Sequence, residues 1–274
     1  MNYFKNHTIC ITGAGSGIGR ELACQFSASG AMVIICDYNA ASLKETASQI
    51  KKMGGRYRAD ALDISNNSEV LAWAKKVRKS DTHIDILINN AGIAGKTAEL
   101  NILSIEEMEQ VINTNLWGAV YCTLAFLPLL RKSSRPVIVN VSSLAGLAAV
   151  LGALPYTISK FALRGFSEAL RLELKEEKIS VIQVHPGVVD TGIVENIPGI
   201  DVDAAARGRE AFERQKSISG AKAAKKIIRG IRKSKKRILP GPGVHIVDLL
   251  VRIFPGNYDR LVYPKMKKII DEMK

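Results

Sequence analysis

Cysteine, histidine and tryptophan are scarce here, with 4, 4 and 2 copies in 274 residues. Cys10, Cys24, Cys36 and Cys122 lack metal-ligand spacing and fall inside apolar or helical stretches. They read as small buried thiols in a reducing cytosol, not as a disulfide frame. His7, His83, His185 and His245 form no pair at ligand spacing, and His185 reads as a packed histidine at a strand end. No run of 18 apolar residues is present, which argues against a spanning helix. The first strand starts near His7 and leaves no room for a cleavable leader. Charged residues make up 24% of the chain, an ordinary globular share that excludes a disordered polymer.

Acidic residues are short in one region only. Positions 207–274 hold 19 Lys and Arg against 6 Asp and Glu, so the last quarter carries the whole net charge of +13. From Gly241 to Lys274 this basic segment also holds a dense apolar set, including Val244, Ile246, Leu249, Leu250, Ile253 and Phe254. Three readings are open for it: packing on its own domain or a second subunit, peripheral contact with an anionic membrane, or nucleic-acid binding. The last has no recognised binding module behind it, so no nucleic-acid partner is expected.

Apolar strand-like runs alternate with helical patterns. Thr8–Thr12, Met32–Asp37, Tyr57–Asp63, Ile84–Asn89, Pro136–Ser142 and Ile179–His185 read as strands, and Lys235–Pro240 as a seventh. Helices are expected over Ser16–Ser29, Ala40–Met53, a stretch capped by Ser65 or Asn66, one long run Ser104–Leu130, and Tyr156–Glu177. This alternation predicts an α/β, doubly wound, Rossmann-type parallel sheet in a single catalytic domain, 1–240, with 241–274 as a C-terminal extension. Positions 190–220 are too long for an ordinary loop and are expected to hold helices over the mouth of a site.

The first strand runs into Gly13-Ala14-Gly15-Ser16-Gly17-Ile18-Gly19. A glycine-rich turn between a strand and a helix lets backbone approach a pyrophosphate, with the helix N-terminus offering free N–H groups. Asp37 ends the second strand, where a carboxylate can accept from adenosine ribose hydroxyls and repel a 2′-phosphate. No Lys or Arg lies between Gly13 and Gly19, which favours NAD(H) over NADP(H). Capping of the following helix is the competing reading of Asp37. Tyr156 and Lys160 are spaced i, i+4 and must share a helix face. An ammonium and a helix N-terminus would both pull the phenol below its usual pKa of about 10. Such a pair can serve as general acid and base.

In order along residues 8–191 stand Thr12-Gly13…Gly17-Ile18-Gly19, Asp63, Asn89-Asn90-Ala91-Gly92, Asn115, Ser143, Tyr156-x-x-x-Lys160 and Pro186-Gly187-x-x-x-Thr191. This set resembles the short-chain dehydrogenase/reductase family. The resemblance implies a catalytic set of Asn115, Ser143, Tyr156 and Lys160. Tyr156 would carry the proton, Lys160 would bind the nicotinamide ribose, Ser143 would orient the carbonyl, and Asn115 would place a relay water. It implies cofactor contacts from Gly13, Ser16, Gly17, Ile18, Gly19, Asp37, Asp63, Ile64, Asn89, Ala91, Gly92, Val189 and Thr191, beside Tyr156 and Lys160. Members with C-terminal extensions that act on lipophilic alcohols or ketones are the nearest in kind. The resulting expectation is a cytoplasmic, NAD-linked alcohol dehydrogenase or ketone reductase that forms a homodimer or homotetramer. An NADP(H)-linked carbonyl reductase and a nucleotide-sensing or membrane-associated binding protein are the alternatives.

Overall fold

The apolar runs assemble into one seven-stranded, all-parallel sheet in the spatial order Arg56–Ala61, Met32–Asp37, Thr8–Thr12, Ile86–Asn89, Val137–Val141, Ser180–Val184 and Arg237–Ile238. A computed structural model describes residues 3–190 and 217–273. The strands are β1 (Thr8–Thr12), β2 (Met32–Asp37), β3 (Arg56–Ala61), β4 (Ile86–Asn89), β5 (Val137–Val141), β6 (Ser180–Val184) and the two-residue β9 (Arg237–Ile238). A separate pair joins β7 (Val189–Asp190) to β8 (Ile218–Ser219). The helices are α1 (Gly17–Ala28), α2 (Ala40–Lys52), α3 (Asn67–Ser80), α4 (Ile105–Ile112), α5 (Gly118–Leu130), α6 (Leu154–Glu173), α7 (Gly220–Arg232), α8 (Val244–Ile253) and α9 (Tyr258–Met273).

Strand side chains alternate between two faces, and each face has its own core. Ile9, Ile11, Val33, Ile35, Ile88 and Val139 pack with Leu22 and Phe26 of α1, Ile50 of α2 and Ile227 of α7. Cys10, Ile34, Cys36, Leu87 and Ile138 pack on the other side with Trp73 of α3, Phe126 of α5 and Leu170 of α6. Helices on both faces explain why the strands read as nearly continuous apolar runs. Cys10, Cys36 and Cys122 are buried free thiols that burial pushes up, Cys122 to about 12. They belong to this core and do no chemistry at neutral pH.

Several boundaries differ from the sequence reading, and three of the departures have a clear local reason. The third strand ends at Ala61, not Asp63, because Asp63 turns the chain toward α3 by accepting from the Ser65 N–H at 2.9 Å. The helix holding Tyr156 starts at Leu154, with Pro155 in its first turn, where a missing N–H costs nothing. The expected single helix Ser104–Leu130 is interrupted. Ser104 and Glu107 form a capping box that starts α4, and residues Asn113–Trp117 then form a π turn before α5 resumes. Such turns insert one residue and redirect side chains.

Candidate active site

The phosphate turn leaves the carboxyl end of β1 beside β4, where the strand order reverses. Gly13 has φ +65, and a Cβ there would stand 2.6 Å from Ala91 Cα. A Cβ on Gly19 would stand 2.0 Å from the Gly13 carbonyl oxygen, so α1 can press on the turn only without a side chain. Ser16 precedes α1 in extended backbone and makes no side-chain capping bond. Its hydroxyl and the first N–H groups of α1, at Gly17, Ile18 and Gly19, are therefore available to an anion. The Ile18 side chain packs into the core, so it contributes backbone only.

Asp37 does not cap the next helix. Asn39 does that, accepting from Ser42 N–H at 3.0 Å. Asp37 instead accepts from Gly15 N–H at 2.8 Å and Asn39 N–H at 2.9 Å, one bond per carboxylate oxygen. This ties the end of β2 to the phosphate turn. Arg20, the base nearest the turn in sequence, is occupied: its Nε donates to Gly15 O at 2.9 Å and Thr46 Oγ1 at 3.0 Å, and its guanidinium pairs with Glu45 at 2.9 Å. Asp63 is exposed near the end of β3, while the Ile64 side chain packs against Gly118.

The Asn89-Asn90-Ala91-Gly92 segment divides its labour in an unexpected way. The Asn89 side chain is buried and donates to Asn140 Oδ1 at 2.8 Å and Thr123 Oγ1 at 3.1 Å. The strand pleat turns that side chain inward, so any part Asn89 has on the ribose side falls to its backbone. Asn90 does the work at the cleft. Its Nδ2 donates to Thr12 O at 3.1 Å and Gly13 O at 3.0 Å, and its N–H meets Thr12 Oγ1 at 3.1 Å. Ala91 N–H donates to the same hydroxyl at 3.1 Å. Thr12 and Asn90 together lock β4 to the phosphate turn, a role that the motif spelling does not reveal.

The β4–β6 side gathers the side chains of the candidate catalytic set. Lys160 is buried, and its Nζ donates to Val141 O at 3.2 Å and lies 5.5 Å from the centre of the Tyr156 ring. Ser142 Oγ donates to Lys160 O at 2.9 Å, which fastens α6 to the end of β5. Ser143 follows in extended backbone, its Oγ accepting from Ala145 N–H at 3.1 Å. Asn115 is buried in the π turn. Its Oδ1 accepts from Ile93 N–H at 2.8 Å, while its Nδ2 donates to Ile93 O at 2.9 Å and Ser159 Oγ at 2.9 Å. A Cβ on Gly92 would sit 2.9 Å from Asn115 Oδ1 and 3.0 Å from Lys160 Nζ. Glycine therefore keeps open a small polar space where Asn115 and Lys160 converge.

Burial sets the electrostatics. It pushes Lys160 down to about 8. It pushes Tyr156 above its ordinary value, and a hydrogen bond from Ser143 acts against that rise. The expected fall in the Tyr156 pKa is not found, because desolvation outweighs the hydrogen bond from Ser143. His185 is fully buried and held down to about 4, first by burial.

Val189 is buried in β7, and Thr191 lies outside the described residues, as do the helices expected within 190–220. Among the described residues the C-terminal segment contacts its own domain. Gly241 and Pro242 pass against Gly187, Arg237 pairs with Asp248 at 2.8 Å, and Ala149 N–H donates to Tyr258 Oη at 3.2 Å. Among the described residues no helix is long and apolar enough to cross a membrane, and no cluster of three metal-ligating side chains occurs.

Comparisons with known proteins agree with this geometry. A sequence profile described as short chain dehydrogenase matches residues 7–199. SadH of Mycobacterium tuberculosis is 37% identical over 265 residues, covering 96% of both chains. Estradiol 17-beta-dehydrogenase 11 of Macaca fascicularis is 30% identical over 253 residues, covering 91% of this chain and 80% of that one. Among solved structures, a short chain dehydrogenase/reductase from Burkholderia phymatum in complex with NAD superposes with a TM-score of 0.84 at 24% identity, over 92% of this chain and 95% of that one. An alcohol dehydrogenase from the archaeon Thermococcus sibiricus, complexed with 5-hydroxy-NADP, gives 0.74 at 22% identity, over 88% and 98%. With its profile match, its full-length relatives and its sheet in agreement, the chain belongs to the short-chain dehydrogenase/reductase family of oxidoreductases.

Proposed function

We propose that this protein is an NAD(H)-linked oxidoreductase acting on secondary alcohols or ketones of apolar character, with Tyr156 as general acid and base. The observation that carries the reading is the convergence of Ser143, Tyr156 and Lys160 at the carboxyl edge of β5, beside a phosphate turn whose glycines admit backbone contact. The cleft fits a dinucleotide: Ser16 and the first turn of α1 take the pyrophosphate, and Asp37 takes the adenosine ribose. Asp63, the backbone of Ile64, Ala91 and Gly92, Val189 and Thr191 complete that set. When bound, the nicotinamide supplies or accepts the hydride.

The side chains handle the proton. In the reductive direction the Tyr156 hydroxyl donates to the carbonyl oxygen, and Ser143 Oγ hydrogen-bonds the same oxygen as charge builds there. In the oxidative direction Tyr156 takes the proton back. Lys160 holds the ribose and offers a positive charge that favours the phenolate. Asn115 fixes Ile93 and places the relay water in the space that Gly92 leaves open.

The apolar preference has its own support. The twelve residues between Ser143 and Tyr156 carry no polar side chain, and Leu151 and Leu154 are exposed there. The relative named for estradiol points the same way. Exposed Leu124 on α5 with Ile158 and Phe161 on α6 supports a homodimer or homotetramer. Exposed Ile246, Leu249 and Ile253, flanked by Arg252, support peripheral contact of the extension with an anionic lipid surface in the cytoplasm. The test follows absorbance at 340 nm with NAD⁺ and NADP⁺ run separately against secondary alcohols of rising apolar size. Turnover with NAD⁺ that grows with apolar size is expected. Turnover with NADP⁺ alone overturns the cofactor assignment, and turnover favouring small polar alcohols overturns the substrate class.

A further inference from the structure

Ser143 is held by its own turn, where Ala145 N–H donates to Oγ at 3.1 Å and Gly146 N–H to the carbonyl oxygen at 3.0 Å, and also by groups from the next strand. His185 directly follows β6, and its backbone N–H donates to Ile238 O at 2.8 Å, which seats it between β6 and β9. Its ring is fully buried, and Nδ1 lies 3.1 Å from the main-chain carbonyl oxygen of Ser143. A carbonyl can only accept, so that contact requires the proton on Nδ1. On the other side of the same peptide, Leu144 N–H donates to Pro186 O at 2.7 Å. Residues 185 and 186 thus grip the 143–144 peptide from both of its polar ends. A peptide plane held at both ends fixes the direction of the Ser143 Cα–Cβ bond, and with it the reach of Oγ toward a substrate oxygen.

We infer that His185 is a positioning residue for Ser143: its Nδ1–H holds the Ser143 carbonyl, and this aims the Ser143 hydroxyl at the reacting oxygen beside Tyr156. The inference rests on the reading of Ser143 as the group that orients the substrate. A core histidine with no such role would fill the same volume, so the test must separate packing from aim. Leu replaces the ring volume without a donor. Asn places its Nδ2–H close to where Nδ1–H stood.

The experiment measures kcat, KM and NADH dissociation for His185→Leu and His185→Asn, each alone and combined with Ser143→Ala. His185→Leu is expected to lower kcat by about 10- to 100-fold, the cost of a small misplacement of a reacting group, with NADH affinity unchanged. His185→Asn is expected to recover most of that loss. In the Ser143→Ala background, His185→Leu is expected to cost nothing further, because residues that act as one unit are non-additive. Undiminished kcat in His185→Leu beside a large loss in Ser143→Ala overturns the inference and spares the reading of Ser143. Additive losses overturn it as well, because they mark a packing role. Undiminished kcat in Ser143→Ala removes both. The ¹⁵N imidazole spectrum of the unaltered protein gives a readout that needs neither turnover nor a folded variant. A protonated Nδ1 on His185 is expected, and a protonated Nε2 contradicts the inference.

Discussion

The two halves of the sheet serve the site by different means. The β1–β3 half acts mainly through backbone: a turn whose glycines leave no room for side chains, the first N–H groups of α1, and one carboxylate, Asp37, that braces the turn. The β4–β6 half acts through side chains that are buried and then held by further side chains and carbonyls, as with Lys160 on Val141 O and Asn115 on Ile93 and Ser159. Binding an anion needs shape and N–H groups, which any sequence with the right glycines supplies. Moving a proton needs particular atoms at particular places, and each must be desolvated at a cost. The first half should therefore respond to changes in bulk, and the second to changes in chemistry.

Lys160→Met should separate the halves most sharply. Turnover is expected to fall by about 100-fold or more. The fold is expected to gain stability at neutral pH. The reason lies in the sign of the shift. Burial takes Lys160 from 10.5 to about 8, so the folded state disfavours the ammonium relative to the unfolded chain. That penalty is full below pH 8 and is relieved as pH rises from about 8 towards 10.5. Urea melts without cofactor should show Lys160→Met more stable at pH 7 by up to about 3 kcal/mol. The gap should shrink above pH 8, and a gap constant with pH contradicts the electrostatic account.

Gly19→Ala is the corresponding change in the other half. Its Cβ would collide with the Gly13 carbonyl at 2.0 Å, so the turn must move. Overpacking of this kind costs roughly 1–3 kcal/mol, and borne by the bound state it weakens NADH affinity by about 5- to 150-fold. Fluorescence titration of bound NADH measures it, and unchanged affinity means that the turn does not hold the pyrophosphate. Asp37→Ala should act more gently, shifting the NADPH-to-NADH preference by about tenfold toward NADPH. No gain in NADPH affinity contradicts the repulsion assigned to Asp37. The smallest effect is expected from Tyr258→Phe, which removes the acceptor for Ala149 N–H. A surface hydrogen bond is worth about 1 kcal/mol, so the change should alter KM by only a few-fold and leave NADH affinity alone.

The sequence was legible where the signal is local. The glycine turn lies within seven residues, and Tyr156 with Lys160 is one helical turn, so spacing alone places them. The doubly wound parallel sheet follows from alternation of strands and helices, while the order of its strands is seen only in the fold. Structure was needed wherever a role depends on the direction of a side chain set by distant contacts. Asn89 and Asn90 are neighbours with the same chemistry, yet one faces the core and the other the phosphate turn, because the pleat alternates at the end of β4. The π turn at Asn113–Trp117 is hidden from periodicity because α5, which follows it, is apolar around most of its circumference and shows no face whose phase could shift. The pKa of Tyr156 rises although the sequence points to a fall, because burial is a property of the whole fold. Ser143 could be found through the family resemblance, but its partner His185 lies 42 positions away, joined only when β6 settles beside β5.

The measurement that bears most directly on this division is Tyr156→Phe, followed in two readouts on the same preparation. One is single-turnover change in absorbance at 340 nm with an apolar secondary alcohol, and the other is the dissociation constant for NADH. Removing one hydroxyl from the side-chain half is expected to lower the rate by about 10³-fold, within the range for a lost general acid, while NADH binds as before. A rate that survives the change contradicts Tyr156 as the proton carrier. A loss of NADH affinity to match the loss of rate contradicts the separation of the two halves.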